Sequence, residues 1–173
     1  LKECMAAQDS SGGVIECRVS GLPAGLGTPV FDKLDACLGK ALFSIGAVKA
    51  VEIGDGIDAA RAKGSSNNDG FFHDAHGAVK KSTNHAGGVL GGISDGSDLI
   101  LRAHIKPTPS ISSPQNTVNQ DGEDIQIRIK GRHDPVIVPR AVVVVESMTA
   151  LTLVDALLTG MGARMENLKK VWK

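Results

Sequence analysis

The stretch Gly131-Arg132-His133-Asp134-Pro135 brings three side chains that can do chemistry to the end of a predicted strand. Arg132 is a fixed cation that can grip an anion through two parallel hydrogen bonds. Asp134 beside it is expected to stay ionised and could act as a base, with the imidazole of His133 next to it. The same residues could equally form a structural Arg–Asp pair that fixes a turn before Pro135, and the two interpretations are about even.

A second candidate binding element is the loop Lys106-Pro107-Thr108-Pro109-Ser110. The prolines stiffen a turn that carries an ammonium group, two hydroxyls and free backbone N–H groups, which are the donors that a phosphate monoester needs. A rigid connecting loop with a solvated lysine explains the same residues equally well, because Pro-x-Pro turns are common connectors.

Two further motifs carry less chemical information. Gly87-Gly88-x-x-Gly91-Gly92 has neither the P-loop nor the G-x-G-x-x-G spacing, and it is better explained as a tight hairpin than as backbone approaching a planar ligand. His73, His76 and His85 have no nearby cysteine or carboxylate at ligand spacing, so we predict no metal site.

Periodicity predicts the elements that position these residues. Strands are predicted over 14–19, 48–53 and 99–105, the last with one apolar face, and a hairpin around Asp121-Gly122. An amphipathic helix is predicted after a Thr28 cap and Pro29 and extends to Ile45. A second helix is predicted over 140–158 in spite of four valines, and a short one over 164–172. Segment 64–78 is predicted to be a mobile loop that orders around a ligand.

Composition excludes several classes of protein. Lysine plus arginine equals aspartate plus glutamate at 19 each, so there is no basic footprint for nucleic acid and no charge that attracts an anionic membrane. No apolar run approaches the roughly 20 residues of a membrane span. The three cysteines are irregularly spaced and predict reduced thiols in a cytosolic protein.

The 173 residues fit a single domain. Because no Met begins the chain, we expect it to start inside a longer protein.

Several blocks in one order, over roughly 13–158, resemble the chorismate synthase family. The blocks are Gly25-Leu26-Gly27, Pro29-Val30-Phe31-Asp32-Lys33-Leu34-Asp35, Val51-Glu52-Ile53-Gly54-Asp55-Gly56, Asn84-His85-Ala86-Gly87-Gly88-Val89-Leu90-Gly91-Gly92-Ile93-Ser94, Lys106-Pro107-Thr108-Pro109-Ser110-Ile111, Thr117-Val118, Gly131-Arg132-His133-Asp134-Pro135, Pro139-Arg140-Ala141 and Glu146-Ser147-Met148.

The resemblance implies a fold and a reaction. The fold is an α+β sandwich of β-α-β-α layers, with helices between antiparallel sheets, in a cytoplasmic homotetramer. The reaction is the 1,4-anti-elimination of phosphate from 5-enolpyruvylshikimate 3-phosphate, which gives chorismate for aromatic amino acid biosynthesis. It requires reduced FMN, with NADPH as a candidate reductant, although there is no net redox change.

The resemblance also implies roles for individual residues. Asp134 corresponds to the carboxylate that handles a proton, and His133 has a supporting catalytic role. The positions that correspond to flavin contacts are Gly46, Ala47, Gly91, Lys106, Pro107, Thr108, Pro109, Ser110 and Arg132. Gly46 stands where many relatives have asparagine, so only a backbone contact is expected there.

The motifs of the family's N-terminal half, which carry its catalytic histidines and most of its arginines for the substrate phosphate, do not occur in this chain. We therefore expect 1–173 to be the C-terminal part of the enzyme. The alternative is that this piece is a catalytically inactive core that binds FMN and assembles with itself.

Overall fold

Helices and strands are mixed along the chain, of which the computed structural model describes residues 1–131 and 133–172. The helices are α1 (Lys2–Ala6), α2 (Leu34–Phe43), α3 (Gly64–Asn67), α4 (Val138–Gly162) and α5 (Met165–Val171), and a 3₁₀ helix covers Gly56–Arg61. The strands are β1 (Gly13–Val19), β2 (Val48–Ile53), β3 (Phe71–His73), β4 (Val79–Lys81), β5 (Val89–Leu90), β6 (Ile93–Ser94), β7 (Leu99–Ile105), β8 (Gln115–Val118) and β9 (Asp124–Ile127).

A three-stranded antiparallel sheet in the order β1-β7-β2 forms the centre of the structure. The alternation predicted for β7 is confirmed, because every second side chain, beginning with Leu99 and ending with Ile105, is buried on one face. The opposite face is polar: Arg102 pairs with Glu16 at 2.8 Å and His104 with Glu52 at 3.2 Å. Apolar residues therefore cover one face of the sheet and paired charges the other.

Two helices cover the apolar face of the sheet. α2 buries Leu34, Leu38 and Leu42 at spacings of four residues, as its periodicity predicted. α4 buries Val145, Thr149 and Leu153 at the same spacing, and the predicted helix over 140–158 is confirmed. Packing against the sheet outweighs the strand preference of the four consecutive valines.

The predicted start of α2 is wrong. Thr28 is not a helix cap, because its backbone exchanges two hydrogen bonds with Asp32, at 2.9 and 3.0 Å, and closes a turn. The helix begins at Leu34, whose N–H donates to the carbonyl oxygen of Gly92 at 2.8 Å. A backbone acceptor from a distant hairpin thus replaces the predicted side-chain cap.

Segment 64–78 contains regular structure. It holds α3 and β3, and β3 pairs with β4 in an antiparallel hairpin. Asp69, in the middle of the segment, has a side chain that is only 3% exposed. Phe71 and Phe72 at the start of the hairpin are exposed. The mobility of the segment stays a prediction.

α4 is the one helix among the described residues that is long and apolar enough to span a membrane, so the expectation that no apolar run approaches this length is wrong. It also carries Arg140, Glu146 and Asp155 and packs on the sheet through its buried positions. A core helix of a larger protein has the same properties, so this composition is weak evidence for a membrane.

Together the mixed helices and antiparallel sheets confirm the α+β class.

Gly54 is expected to be hard to replace, because φ is +59° there and a Cβ would lie 2.1 Å from the carbonyl oxygen of His85. Gly54→Ala should lower the free energy of unfolding by about 1–3 kcal/mol through this overlap. Gly39→Ala is the matched control, since Gly39 lies within α2 with open space around it, and alanine there should stabilise the helix by about 1 kcal/mol. Chemical denaturation measures both. Equal changes in the free energy of unfolding for Gly54→Ala and Gly39→Ala would contradict the requirement for glycine at position 54.

Candidate functional site

The predicted binding loop Lys106–Ser110 begins where the central strand β7 ends. The backbone N–H of Lys106 donates to the carbonyl oxygen of Ala47 at 2.9 Å. Ala47 follows Gly46 in the turn between α2 and β2, and its φ of +70° is unusual for a residue with a side chain. The fold therefore brings Gly46 and Ala47 to the same end of the sheet as the loop.

The N-terminal segment Gln8–Gly12 closes the other side of the loop. Ser10 Oγ donates to the carbonyl oxygen of Thr108 at 2.6 Å. Farther along, the backbone N–H of Ser113 donates to the carbonyl oxygen of Gln8 at 3.2 Å. The loop is thus held between the α2–β2 turn and a segment that is about 100 residues away in the sequence.

The loop that carries His133 and Asp134 reaches the same place through this segment. The N–H of Ser11 donates to the carbonyl oxygen of Pro135 at 2.8 Å, and Ser11 forms a parallel bridge with Val136. Asp134 Oδ2 lies 2.5 Å from Arg140 Nη1 in the first turn of α4. A structural aspartate–arginine pair was one of the two sequence interpretations, and here the arginine is Arg140. Arg132, the predicted partner, lies outside the described residues.

Two buried polar atoms in this cluster have no hydrogen-bond partner among the described residues: Thr108 Oγ1 and His133 Nε2. Buried polar atoms are almost always paired, so an unpaired one calls for a ligand or an ordered water. Lys106 Nζ is exposed, and within the described residues it donates to the carbonyl oxygen of Pro107, at 3.3 Å. The cluster therefore holds an exposed ammonium group and two buried polar atoms, a hydroxyl and an imidazole nitrogen, whose hydrogen bonds the described residues do not supply.

Gly91 lies in a different part of the molecule. It occupies the tip of the β5–β6 hairpin with φ of +59°, which confirms the tight hairpin. The next residue, Gly92, contacts the N-terminus of α2, whereas Gly46 and Ala47 follow its C-terminus. A ten-residue helix is about 15 Å long, so the chain does not bring Gly91 to the loop at Lys106. Its flavin contact stays a prediction.

A buried charge cluster near the hairpins was not predicted from the sequence. Lys81 Nζ lies 3.0 Å from Asp69 Oδ2 and 2.8 Å from Asp95 Oδ2, and the three side chains are 4%, 3% and 8% exposed. Asp69 also accepts hydrogen bonds from Thr83 Oγ1 at 2.7 Å and from the N–H of His85 at 2.8 Å. These residues show no periodicity, so only the folded chain reveals the cluster.

The histidines do not form a metal site in the part of the chain that the structure describes. No group of three histidine, cysteine, aspartate or glutamate side chains is arranged as metal ligands there. His85 Nδ1 instead lies 2.6 Å from Asp55 Oδ2.

The fold and the cluster define an α+β protein with a candidate anion site at one end of an antiparallel sheet. A family model described as chorismate synthase matches residues 1–158. Curated chorismate synthases of Lachnoclostridium phytofermentans and Agathobacter rectalis are each 64% identical over 173 residues, which is 100% of this chain and 47% of theirs. A crystal structure of chorismate synthase superposes with a TM-score of 0.76 at 33% identity, over 98% of this chain and 44% of that one.

The chain belongs to the chorismate synthase family, and the resemblance found from the sequence motifs is confirmed. The chain spans about half the length of the curated relatives that it matches.

Proposed function

We propose that the protein containing this chain is a lyase that eliminates phosphate from 5-enolpyruvylshikimate 3-phosphate to give chorismate. The observation that carries the proposal is the match to chorismate synthases over the whole chain at 64% identity. The residues clustered at the end of β7 have the chemistry that the reaction needs: a cation, hydroxyls and a carboxylate. Membership in this family also supports a role in the shikimate pathway.

Reduced FMN is the cofactor that we propose for the site. The exposed ammonium of Lys106 would neutralise the flavin phosphate, and the unpaired hydroxyl of Thr108 would donate to it. Ser110 would add a second hydroxyl beyond Pro109. The residues present therefore fit a phosphate monoester. When bound, reduced FMN supplies an electron-rich ring that can lend an electron to the substrate as phosphate leaves.

Asp134 is the residue that we propose for proton handling. Its carboxylate is 39% exposed and accessible to a ligand, and Arg140 orients it from the first turn of α4. His133 supports it from the neighbouring position, where the unpaired Nε2 would accept or donate one hydrogen bond to a ligand. A carboxylate that can exchange a proton contributes roughly 10²–10⁴-fold to a rate.

The remainder of a full-length enzyme would pack on α4. Leu151 is 65% exposed and Leu158 is 63% exposed, on a helix that is long and apolar enough to be a core helix or a membrane span. A helix of this kind belongs in the core of a larger protein, and the relatives are about twice as long as this chain. A second layer there would complete the sandwich. Assembly as a homotetramer, a cytoplasmic location and NADPH as reductant are proposed from the family resemblance alone.

The alternative interpretation is that this chain is only an inactive FMN-binding core. The comparisons do not favour it, since the curated relatives over its whole length are named as enzymes. Adding FMN and 5-enolpyruvylshikimate 3-phosphate to this chain under reducing conditions tests the alternative: FMN binding without chorismate supports an inactive core, and chorismate formation contradicts it.

Thr108→Val tests the proposed cofactor site in the full-length protein. Valine keeps the shape of threonine but removes the hydroxyl, so FMN affinity should fall about tenfold, the value of one hydrogen bond to a charged group. Flavin fluorescence measures the dissociation constant, and absorbance measures chorismate formation. Thr117→Val in β8 is the control and should leave both unchanged. A wild-type protein that binds FMN but forms no chorismate would contradict the proposed function.

A further inference from the structure

The segment Gln8–Gly12 contacts both loops of the candidate site, although no motif marks it as functional. On one side Ser10 Oγ donates to the carbonyl oxygen of Thr108, between residues that are 98 positions apart. On the other side the N–H of Ser11 donates to the carbonyl oxygen of Pro135, the residue after Asp134. One short segment therefore holds the loop proposed for the phosphate and the loop that carries the proton-handling carboxylate.

The loop Lys106–Ser110 has little backbone hydrogen bonding of its own: among the described residues, its Pro109 carbonyl oxygen accepts from the N–H of Ile111 at 3.1 Å. Pro107 and Pro109 have no N–H group, and the Lys106 N–H is already used by Ala47. The carbonyl oxygen of Thr108 lies between the two prolines, and Ser10 Oγ fixes it at 2.6 Å. Holding this carbonyl sets the orientation of the peptide unit that carries the Thr108 side chain.

The segment also packs directly on the chain that leads into the loop. A Cβ at Gly12 would lie 2.3 Å from the carbonyl oxygen of Ile105 and 3.2 Å from the nitrogen of Pro107. Only a glycine allows the two backbones to approach so closely. At its other end Gln8 has a φ of +54°, and its carbonyl oxygen accepts from Ser113 Oγ at 3.0 Å. Contacts at both ends of the segment thus fix the position of Ser10.

We propose that Ser10 is a positioning residue for the phosphate group of the cofactor. The segment Gln8–Gly12 fixes the positions of the two loops of the site relative to each other. This inference rests on the proposed function. Ser10 acts through the carbonyl oxygen of Thr108 rather than by touching the phosphate. Its removal should therefore weaken binding of the phosphate group and leave binding of the flavin ring unchanged.

The experiment compares FMN with riboflavin, which lacks the phosphate, in the full-length protein. Ser10→Ala should raise the dissociation constant of FMN about fivefold, the value of one hydrogen bond of about 1 kcal/mol, and leave that of riboflavin unchanged. Ser10→Thr keeps the hydroxyl and should restore FMN binding. Ser66→Ala is the matched control, because Ser66 Oγ also donates to a backbone carbonyl, that of Lys63, at 2.9 Å. Flavin fluorescence measures every dissociation constant.

The outcomes separate the two proposals. Weaker binding of FMN alone, with recovery in Ser10→Thr, supports the positioning role. Unchanged FMN binding in Ser10→Ala, or an equal loss for FMN and riboflavin, overturns it, because a general structural defect affects both flavins. If the wild-type protein binds FMN and only the Ser10 result fails, the proposed function stands. If the wild-type protein binds no FMN, both proposals fail.

Discussion

Replacing Lys81 by methionine is expected to lower the free energy of unfolding by about 3–5 kcal/mol, the usual effect of removing one partner from a buried ion pair. Lys81 lies between Asp69 and Asp95, at 3.0 and 2.8 Å, and all three side chains are less than a tenth exposed. Methionine fills a similar volume but leaves two buried carboxylates without a positive charge. The hairpin of β3 and β4 and the turn at Asp95 should loosen together.

Lys80→Met is the matched control for this prediction. Lys80 is the neighbour of Lys81 in β4 but is exposed to solvent, so its loss should change the free energy of unfolding by less than about 0.5 kcal/mol. Urea denaturation followed by circular dichroism measures both variants. Similar midpoints for Lys81→Met and the wild type would show that the cluster contributes little.

The same cluster makes stability depend on pH. Burial raises the pKa of Asp69, but hydrogen bonds from Thr83, from the amides of Ala86 and His85 and from Lys81 outweigh burial and hold this pKa well below its usual range. Since the folded-state pKa lies below the unfolded value of about 3.9, the contribution of Asp69 is complete above about pH 4. It is lost as the pH falls toward the folded-state pKa.

Lys81 gives the opposite dependence at high pH. Burial lowers its pKa, but hydrogen bonds with Asp95 and Asp69 outweigh burial and raise the pKa above its ordinary value. Its contribution to stability is therefore complete below about pH 10.4 and is lost as the pH rises through the folded-state pKa. Denaturation curves below pH 4 and above pH 10 should separate the wild type from Lys81→Met less than curves at neutral pH.

The sequence predicted the elements whose side chains repeat with a clear period. β7 alternates over seven residues, and α2 and α4 bury every fourth side chain. These patterns arise because one face of each element contacts the same core. The loop at Lys106 and the loop at Asp134 were also predicted as candidate site elements, because their cations, hydroxyls and carboxylate can bind an anion or exchange a proton. A structural use explained the same residues equally well, and the family resemblance decided between the two.

Features that depend on distant contacts could not be predicted. The start of α2 depends on the carbonyl oxygen of Gly92, and the position of the phosphate loop depends on Ser10. The buried position of Lys81 depends on two aspartates, 12 and 14 residues away, in irregular segments. None of these residues lies in a periodic pattern, so their types alone are typical of solvated loops. Where a site is built from such contacts, the sequence indicates which chemical groups the site contains but not which contacts position them.

Asp134→Asn is expected to lower turnover of the full-length enzyme about 10²-fold or more, the typical contribution of a group that transfers a proton. Asparagine has nearly the same shape as aspartate, and its amide oxygen can still accept a hydrogen bond from Arg140, which lies 2.5 Å from the carboxylate. The loop should therefore keep its position. Only the ability to exchange a proton is lost, so binding of FMN should change little.

Turnover at saturating FMN and substrate, together with the dissociation constant of FMN, tests this role. Asp121→Asn is the control: Asp121 is an exposed residue in the turn between β8 and β9, and its replacement should leave both quantities unchanged. A tenfold or greater loss of FMN affinity in Asp134→Asn would show that the carboxylate instead has a structural role in positioning the cofactor site. An unchanged rate would remove Asp134 from the mechanism, and His133, whose buried Nε2 is unpaired among the described residues, would be the next residue to test.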